Sequence, residues 1–247
     1  MTDEKKLPVT PEQAFDEEQP GVDGPLPEAG AAAQPEVEDV PSWRLITTLS
    51  VAGALAGLLI VGVFQWAQPR ILEHRARVLT EAIQEVLAAP DRVQTLYVHE
   101  AGLSQEPPAG VDTAQADRVF LGYDDGGEPV GFAITAAKAG FQDVIQLIFG
   151  YDPRSDQVLG MRVLESKETP GLGDKIYKDS SFVAEFDGVG APIEGVKEEG
   201  AGSNQVDMIT GATISSRTVI DAINARVDQL EPVLQTYLEG SGGGGAP

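Results

Sequence analysis

Two short segments hold residue types that can bind an anion or a flat ligand. The first is Glu168-Thr-Pro-Gly-Leu-Gly173, followed by Asp174-Lys175-Ile176. Pro170-Gly171 turns the chain, and Gly173 permits a second unusual backbone angle close by. Such a loop can present backbone N–H groups and short side chains to a ligand, although an ordinary surface turn after a strand has the same composition. The second segment is Asp207-Met-Ile-Thr-Gly-Ala-Thr213, then Ile214-Ser-Ser-Arg217. Here a short apolar run, Val206–Ile209, gives way to a helical pattern. The first turn of a helix leaves N–H groups unpaired and carries a partial positive charge, which suits a phosphate. Ser215 or Ser216 would also make a good N-cap, so capping is the competing use of these hydroxyls. No catalytic triad, carboxylate dyad or Walker motif accompanies the two segments, and no residue is assigned a catalytic role.

The elements that must position these segments follow from patterning. Strand-like runs cover Thr95–Val98, Val119–Tyr123, Val130–Ile134, Val144–Phe149 and Val158–Leu164, and Asp124-Asp-Gly-Gly127 reads as a hairpin turn between two of them. From Ser216 to about Leu238, the stripe Val219, Ile220, Ile223, Val227, Leu230, Leu234 and Leu238 predicts a helix. Leu72, Ala76, Leu79, Ile83 and Val86/Leu87 predict another, ended by Ala89-Pro90. The expected fold class is α+β: an antiparallel sheet with flanking helices over residues 67–239.

Ahead of this domain, Leu45 to Phe64 runs without a charge, long enough to cross a bilayer at about 1.5 Å per residue. The only two tryptophans, Trp43 and Trp66, bracket the run at a separation of roughly 34 Å of helix, as two interfacial belts would. A transmembrane helix over 43–66 is therefore expected, rather than a cleaved signal peptide, which has a basic start and a shorter apolar region. Gly53-Ala-Leu-Ala-Gly57 within it is a small-xxx-small pattern, compatible either with helix association or with a lipid-facing surface. Residues 1–41 carry 11 Asp/Glu against Lys5 and Lys6, with seven prolines. Such a segment cannot bury enough apolar surface to offset its ordering entropy, so residues 1–42 read as a disordered acidic tail. Residues 240–247 read as a flexible glycine-rich tail.

Composition excludes whole classes. There is no cysteine, and His74 and His99 are the only histidines. Disulfide frameworks, iron–sulfur clusters and thiolate metal sites are thus excluded, and no metal site is assigned. A net charge of −22 argues against nucleic acid as a partner.

Together the two segments resemble the FMN-binding domain of membrane redox complexes, whose best-known members are the G subunit of the Rnf complex and the C subunit of the sodium-translocating NADH:quinone reductase. Gly140-Phe-Gln-Asp-Val-Ile145 is similar to the family's glycine-aromatic segment, and the likeness extends over roughly residues 43–238. It implies FMN attached covalently, through its phosphate, to Thr213, the last threonine of the family's Ser/Thr-Gly-Ala-Thr motif. It also implies cofactor-binding roles for Thr210, Gly211, Ala212 and Ser215 around that residue and for Glu168, Thr169 and Leu172 in the bordering loop. Asp207 matches the start of the pattern read by the flavin transferase that installs FMN. Where many members carry histidine, two residues before the glutamate, this chain has Ser166.

The implied function is that of a single-pass subunit of an ion-translocating electron transport complex, by resemblance a ferredoxin:NAD+ oxidoreductase. Its expected partners are the other membrane subunits, the transferase during maturation and the membrane itself. It would be an electron-transfer subunit rather than a stand-alone enzyme. A membrane-anchored flavin sensor is the alternative from another class. Topology draws on two conflicting signals. Arg44 precedes the span and Arg70, Arg75 and Arg77 follow it, which by the positive-inside rule would hold the domain in the cytoplasm. The resemblance places the domain on the periplasmic side of the inner membrane. That is the expectation taken here, because long domains translocate largely regardless of charge.

Overall fold

The structure is a computed structural model that describes residues 41–100, 102–113, 115–197 and 202–241. The expected acidic tail up to residue 40 and the last six residues of the glycine-rich tail lie outside the described residues.

Residues 41–59 form a unit of their own, helical from Ser42 onward and exposed throughout. They begin helix α1 (Ser42–Val86), the one described helix long and apolar enough to cross a membrane. The expected span and the amphipathic run behind it are thus parts of one helix, with Pro69 inside it.

The second unit begins at Ile60. Its centre is an antiparallel sheet of seven strands: β1 (Arg92–His99), β2 (Gly102–Ser104), β3 (Arg118–Tyr123), β4 (Pro129–Ala139), β5 (Val144–Asp152), β6 (Gln157–Glu165) and β7 (Val189–Gly190), ordered β2-β1-β3-β4-β5-β6-β7. Apart from β2 at the edge, each strand pairs with the next in the chain. The β3–β4 turn is the predicted one, closed by the Gly127 amide donating to the Asp124 carbonyl at 3.1 Å.

The period-2 alternation of the strands separates two cores. Val119, Leu121, Phe132, Ile134, Leu147 and Phe149 pack with the apolar stripe of helix α4 (Thr213–Ser241). Their neighbours Phe120, Ala133 and Ile148 face the other way, onto Ala82, Ile83 and Val86 at the end of α1. The contact there is close: a Cβ on Gly150 would collide with the Val86 carbonyl.

Between β6 and α4 lie elements too short for any periodicity to reveal. They are α2 (Lys175–Lys178), α3 (Ser180–Ala184) and a parallel pair, β8 (Glu194–Val196) with β9 (Gln205–Asp207). The predicted strand over 206–209 stops at Asp207 because the Ile209 amide donates to Ser216 Oγ instead, at 3.2 Å. Helix α4 starts three residues before the expected Ser216 and runs to Ser241, two residues into the segment expected to be flexible.

Candidate functional site

Glu168 gathers three separate segments. Its carboxylate lies in the loop after β6 and is only 5% exposed. Oε1 accepts from the amides of Gln142 at 2.9 Å and Asp143 at 3.4 Å. Oε2 accepts from Ser215 Oγ, in the first turn of α4, at 2.6 Å. Two glycines make room for it. A Cβ on Gly140 would stand 2.5 Å from Oε1, and one on Gly173 would stand 2.7 Å from Oε2 and 2.9 Å from Ser215 Oγ. Burial pushes the Glu168 carboxyl up, but the Ser215 hydroxyl and the amides of Gln142, Asp143 and Phe141 outweigh it. The group therefore sits below its ordinary range and stays ionised at neutral pH.

The same loop is locked from within. Gly171 takes φ +80°, the conformation its position in the turn demands, and its amide donates to Asp174 Oδ1 at 2.7 Å. Asp174 is in turn held by Lys178 Nζ at 2.6 Å. Thr169 Oγ1 donates to Gln142 Oε1 at 3.0 Å, tying the loop to the turn before β5. Leu172 extends away from these bonds and is 50% exposed.

The start of α4 departs from expectation. Neither Ser215 nor Ser216 caps the helix, because both lie inside its first turn. Ser215 Oγ is committed to Glu168, and Ser216 Oγ accepts from the Ile209 amide and donates to the Ala212 carbonyl at 3.1 Å. The residue preceding the helix is Ala212, which has no side-chain acceptor to offer. Ser216 N donates to the Ala212 carbonyl at 2.9 Å. The three amides before it, on Thr213, Ile214 and Ser215, have no acceptor among the described residues. Thr213 itself is half-buried and Thr210 exposed. Gly211 sits between them at φ +85°. Space above it is open; a Cβ there would meet only Leu172 Cδ2, at 3.8 Å.

Geometry thus joins Glu168, Thr169, Leu172, Gly211, Ala212, Thr213 and Ser215 in one cluster. Asp207 stands apart at the end of β9, its amide donating to a Glu185 carboxylate oxygen. Burial, with repulsion from Asp207 and Asp179 behind it, pushes the Glu185 carboxyl up against the effect of that amide.

The fold and much of the sequence have counterparts among known proteins. The fold is similar to the crystal structure of Shewanella oneidensis NqrC, with TM-score 0.52 and 17% identity, covering 67% of this chain and 99% of that one. The FMN-binding domain family matches residues 140–228, from the glycine beside Glu168 to the middle of α4. The G subunit of the ion-translocating oxidoreductase complex of Shewanella loihica is 30% identical over 197 residues, covering 77% of this chain and 90% of the relative. Its counterpart in Salmonella typhimurium is 35% identical over 185 residues, covering 72% and 85%. The chain belongs to the family of G subunits of ion-translocating oxidoreductase complexes.

In this family member three apolar side chains stand exposed on the segments that Glu168 ties together: Phe141 at 66%, Leu172 at 50% and Ile214 at 56%. Of these, Ile214 has no signal in the sequence, because one isoleucine at a helix start carries no pattern. Gln142 and Asp174, the residues that brace the loop, are likewise missed by sequence reasoning.

Proposed function

We infer that this chain is the membrane-anchored flavin subunit of an Rnf-type electron transport complex, of the ferredoxin:NAD+ oxidoreductase class, with FMN joined through its phosphate to Thr213 Oγ1. The observation that carries this reading is the uncapped start of α4. Ala212 provides no cap, three amides lack acceptors among the described residues, and the Thr213 hydroxyl lies on that same turn. An anion ester-linked to Thr213 would meet the unpaired N–H groups and the positive end of the helix dipole.

The neighbouring residues fit an attached flavin. Gly211, with Thr210 before it, leaves open space over the turn. Leu172, Ile214 and Phe141 offer an apolar surface for a flat ring. Glu168, by drawing the three segments together, fixes that surface relative to Thr213, and Ser215 is held from behind. Thr169 and Gln142 brace the loop. Asp207, three residues ahead of Thr210, would start the segment that a flavin transferase reads. FMN, when bound, accepts and donates one or two electrons, which suits a relay between partners of different electron count.

Ferredoxin binding and ion passage belong in this reading to other membrane subunits, since Leu45–Phe64 contains no charged residue with which to form an ion path. The domain from about residue 67 onward is assigned to the periplasmic face of the inner membrane.

The test is direct. The full-length chain, isolated from a host with its maturation enzyme, should keep flavin fluorescence after denaturation and show the mass of one added FMN. Thr213→Ala should abolish both. Flavin retained on the Ala variant at another residue would overturn the assignment.

A further inference from the structure

The chain has ten arginines, all of them within the described residues. Four form ion pairs and four lie over aromatic rings, which leaves Arg77 and Arg217. Arg77 stands one turn of α1 from both Glu73 and Glu81, a spacing at which side chains on a helix are neighbours. Arg217 is placed differently. The only acid one turn from it on α4 is Asp221, and Lys138 Nζ holds that carboxylate at 3.2 Å. Arg217 is exposed, and in a chain of net charge −22 it has neither carboxylate nor ring among the described residues.

Its place in the helix sharpens the anomaly. Arg217 is the fifth residue of α4, four after Thr213, and residues four apart share one face of a helix. Side chains on a helix lean toward its N-terminus, so Arg217 covers the turn that carries the Thr213 hydroxyl. That turn already holds three amides without acceptors among the described residues and the positive end of the helix dipole. A cation is disfavoured there unless an anion accompanies it. Alanine where a capping acceptor belongs, and arginine where a carboxylate would stabilise, are two departures from ordinary helix chemistry. One anion on Thr213 accounts for both.

We propose that Arg217 is a binding residue for the phosphodiester that joins FMN to Thr213. The proposal rests on the attachment inferred above and adds to it a contact from the next turn of the helix. A phosphodiester keeps one negative charge, spread over two non-bridging oxygens. The helix amides and the guanidinium fork together supply donors for both.

The test compares Arg217→Gln in the flavinylated full-length chain and in the flavin-free Thr213→Ala chain, in the same detergent. Intact mass first establishes one FMN on the former and none on the latter. In the flavinylated chain the substitution should raise the urea unfolding constant about fivefold, equivalent to about 1 kcal/mol. In the flavin-free chain it should lower that constant about twofold, because a cation leaves the positive end of a helix. The phosphorus-31 resonance of the diester should also move in folded Arg217→Gln protein. Arg77→Gln should leave that resonance in place and change both chains alike. Should Arg217→Gln escape flavinylation, Arg217→Lys carries the same comparison, with a smaller loss confined to the flavinylated chain. An equal effect in both chains, or an unmoved resonance, would overturn the pairing while leaving FMN on Thr213. FMN missing from Thr213 of the wild-type chain would overturn the attachment and the pairing together.

Discussion

Glu168 is the residue on which the site's geometry depends, and its charge makes that dependence measurable. Its folded-state pKa lies below the ordinary value, so its contribution to stability is complete above the unfolded value of about 4.3 and is lost as pH falls through the folded value. Glu168→Gln keeps the shape but removes the charge from three hydrogen bonds, and should cost about 2 kcal/mol at neutral pH. The difference between wild type and variant should shrink steadily below about pH 4. Urea unfolding of both chains across that range checks it; a constant difference would mean that the carboxylate carries no special charge interaction. The chemistry at this scale was half legible in the sequence. Glu168 and Thr213 could be singled out because each stands in a short motif of unusual turn residues. The bond from Ser215 to Glu168 could not be read, since it joins residues 47 positions apart and no local pattern encodes it. Ser215 looked like a cap for the same reason: a serine near a helix start carries no mark of which partner will claim it.

Elements were legible in proportion to their length. The five long strands declared themselves as β-branched and apolar runs between turn residues, whereas only the fold assigns their residues to one core or the other. Strands β2, β7 and β8 span two or three residues each, too few for a period to exist, and they form because a neighbour supplies open backbone groups. The start of α4 was hidden by Thr213 and Ile214, β-branched residues of modest helix propensity. They are helical because Ser216 and Ala212 pin the first turn between them. Where β5 crosses the end of α1, the close approach at Gly150 sets the spacing of helix and sheet. Gly150→Ala should force the Val86 carbonyl away and cost about 1–3 kcal/mol. A shift in the midpoint of thermal or urea unfolding reads this, with the flavin content of surviving folded protein unchanged because the contact lies in the other core. An unshifted midpoint would show that the helix end yields freely.

For the molecule as a whole, the sequence sets three arginines after the span against one before it, and the proposed periplasmic domain requires that this count not govern insertion. Arg70 and Arg75 line a cavity of the folded domain, so their placement serves the domain and need not report the direction of insertion. Protease added to intact spheroplasts should therefore digest the chain from about residue 67 onward and spare the residues before the span; the reverse pattern would mean that the arginine count governs. Strand order bears on biogenesis as well. The sheet is built almost in the order in which the chain is synthesised, β2 alone pairing backward, so each hairpin can close on its predecessor with little loop to tie down. Helix α4 comes last and must cover the apolar face that all of those strands leave open. Its first turn, carrying Thr213, takes shape only then, because Glu168 must already be in place to receive Ser215. Under the proposed attachment of FMN to Thr213, an enzyme that reads this turn in its folded form would act on finished domains and pass over incomplete ones, and the flavin would then certify completed folding.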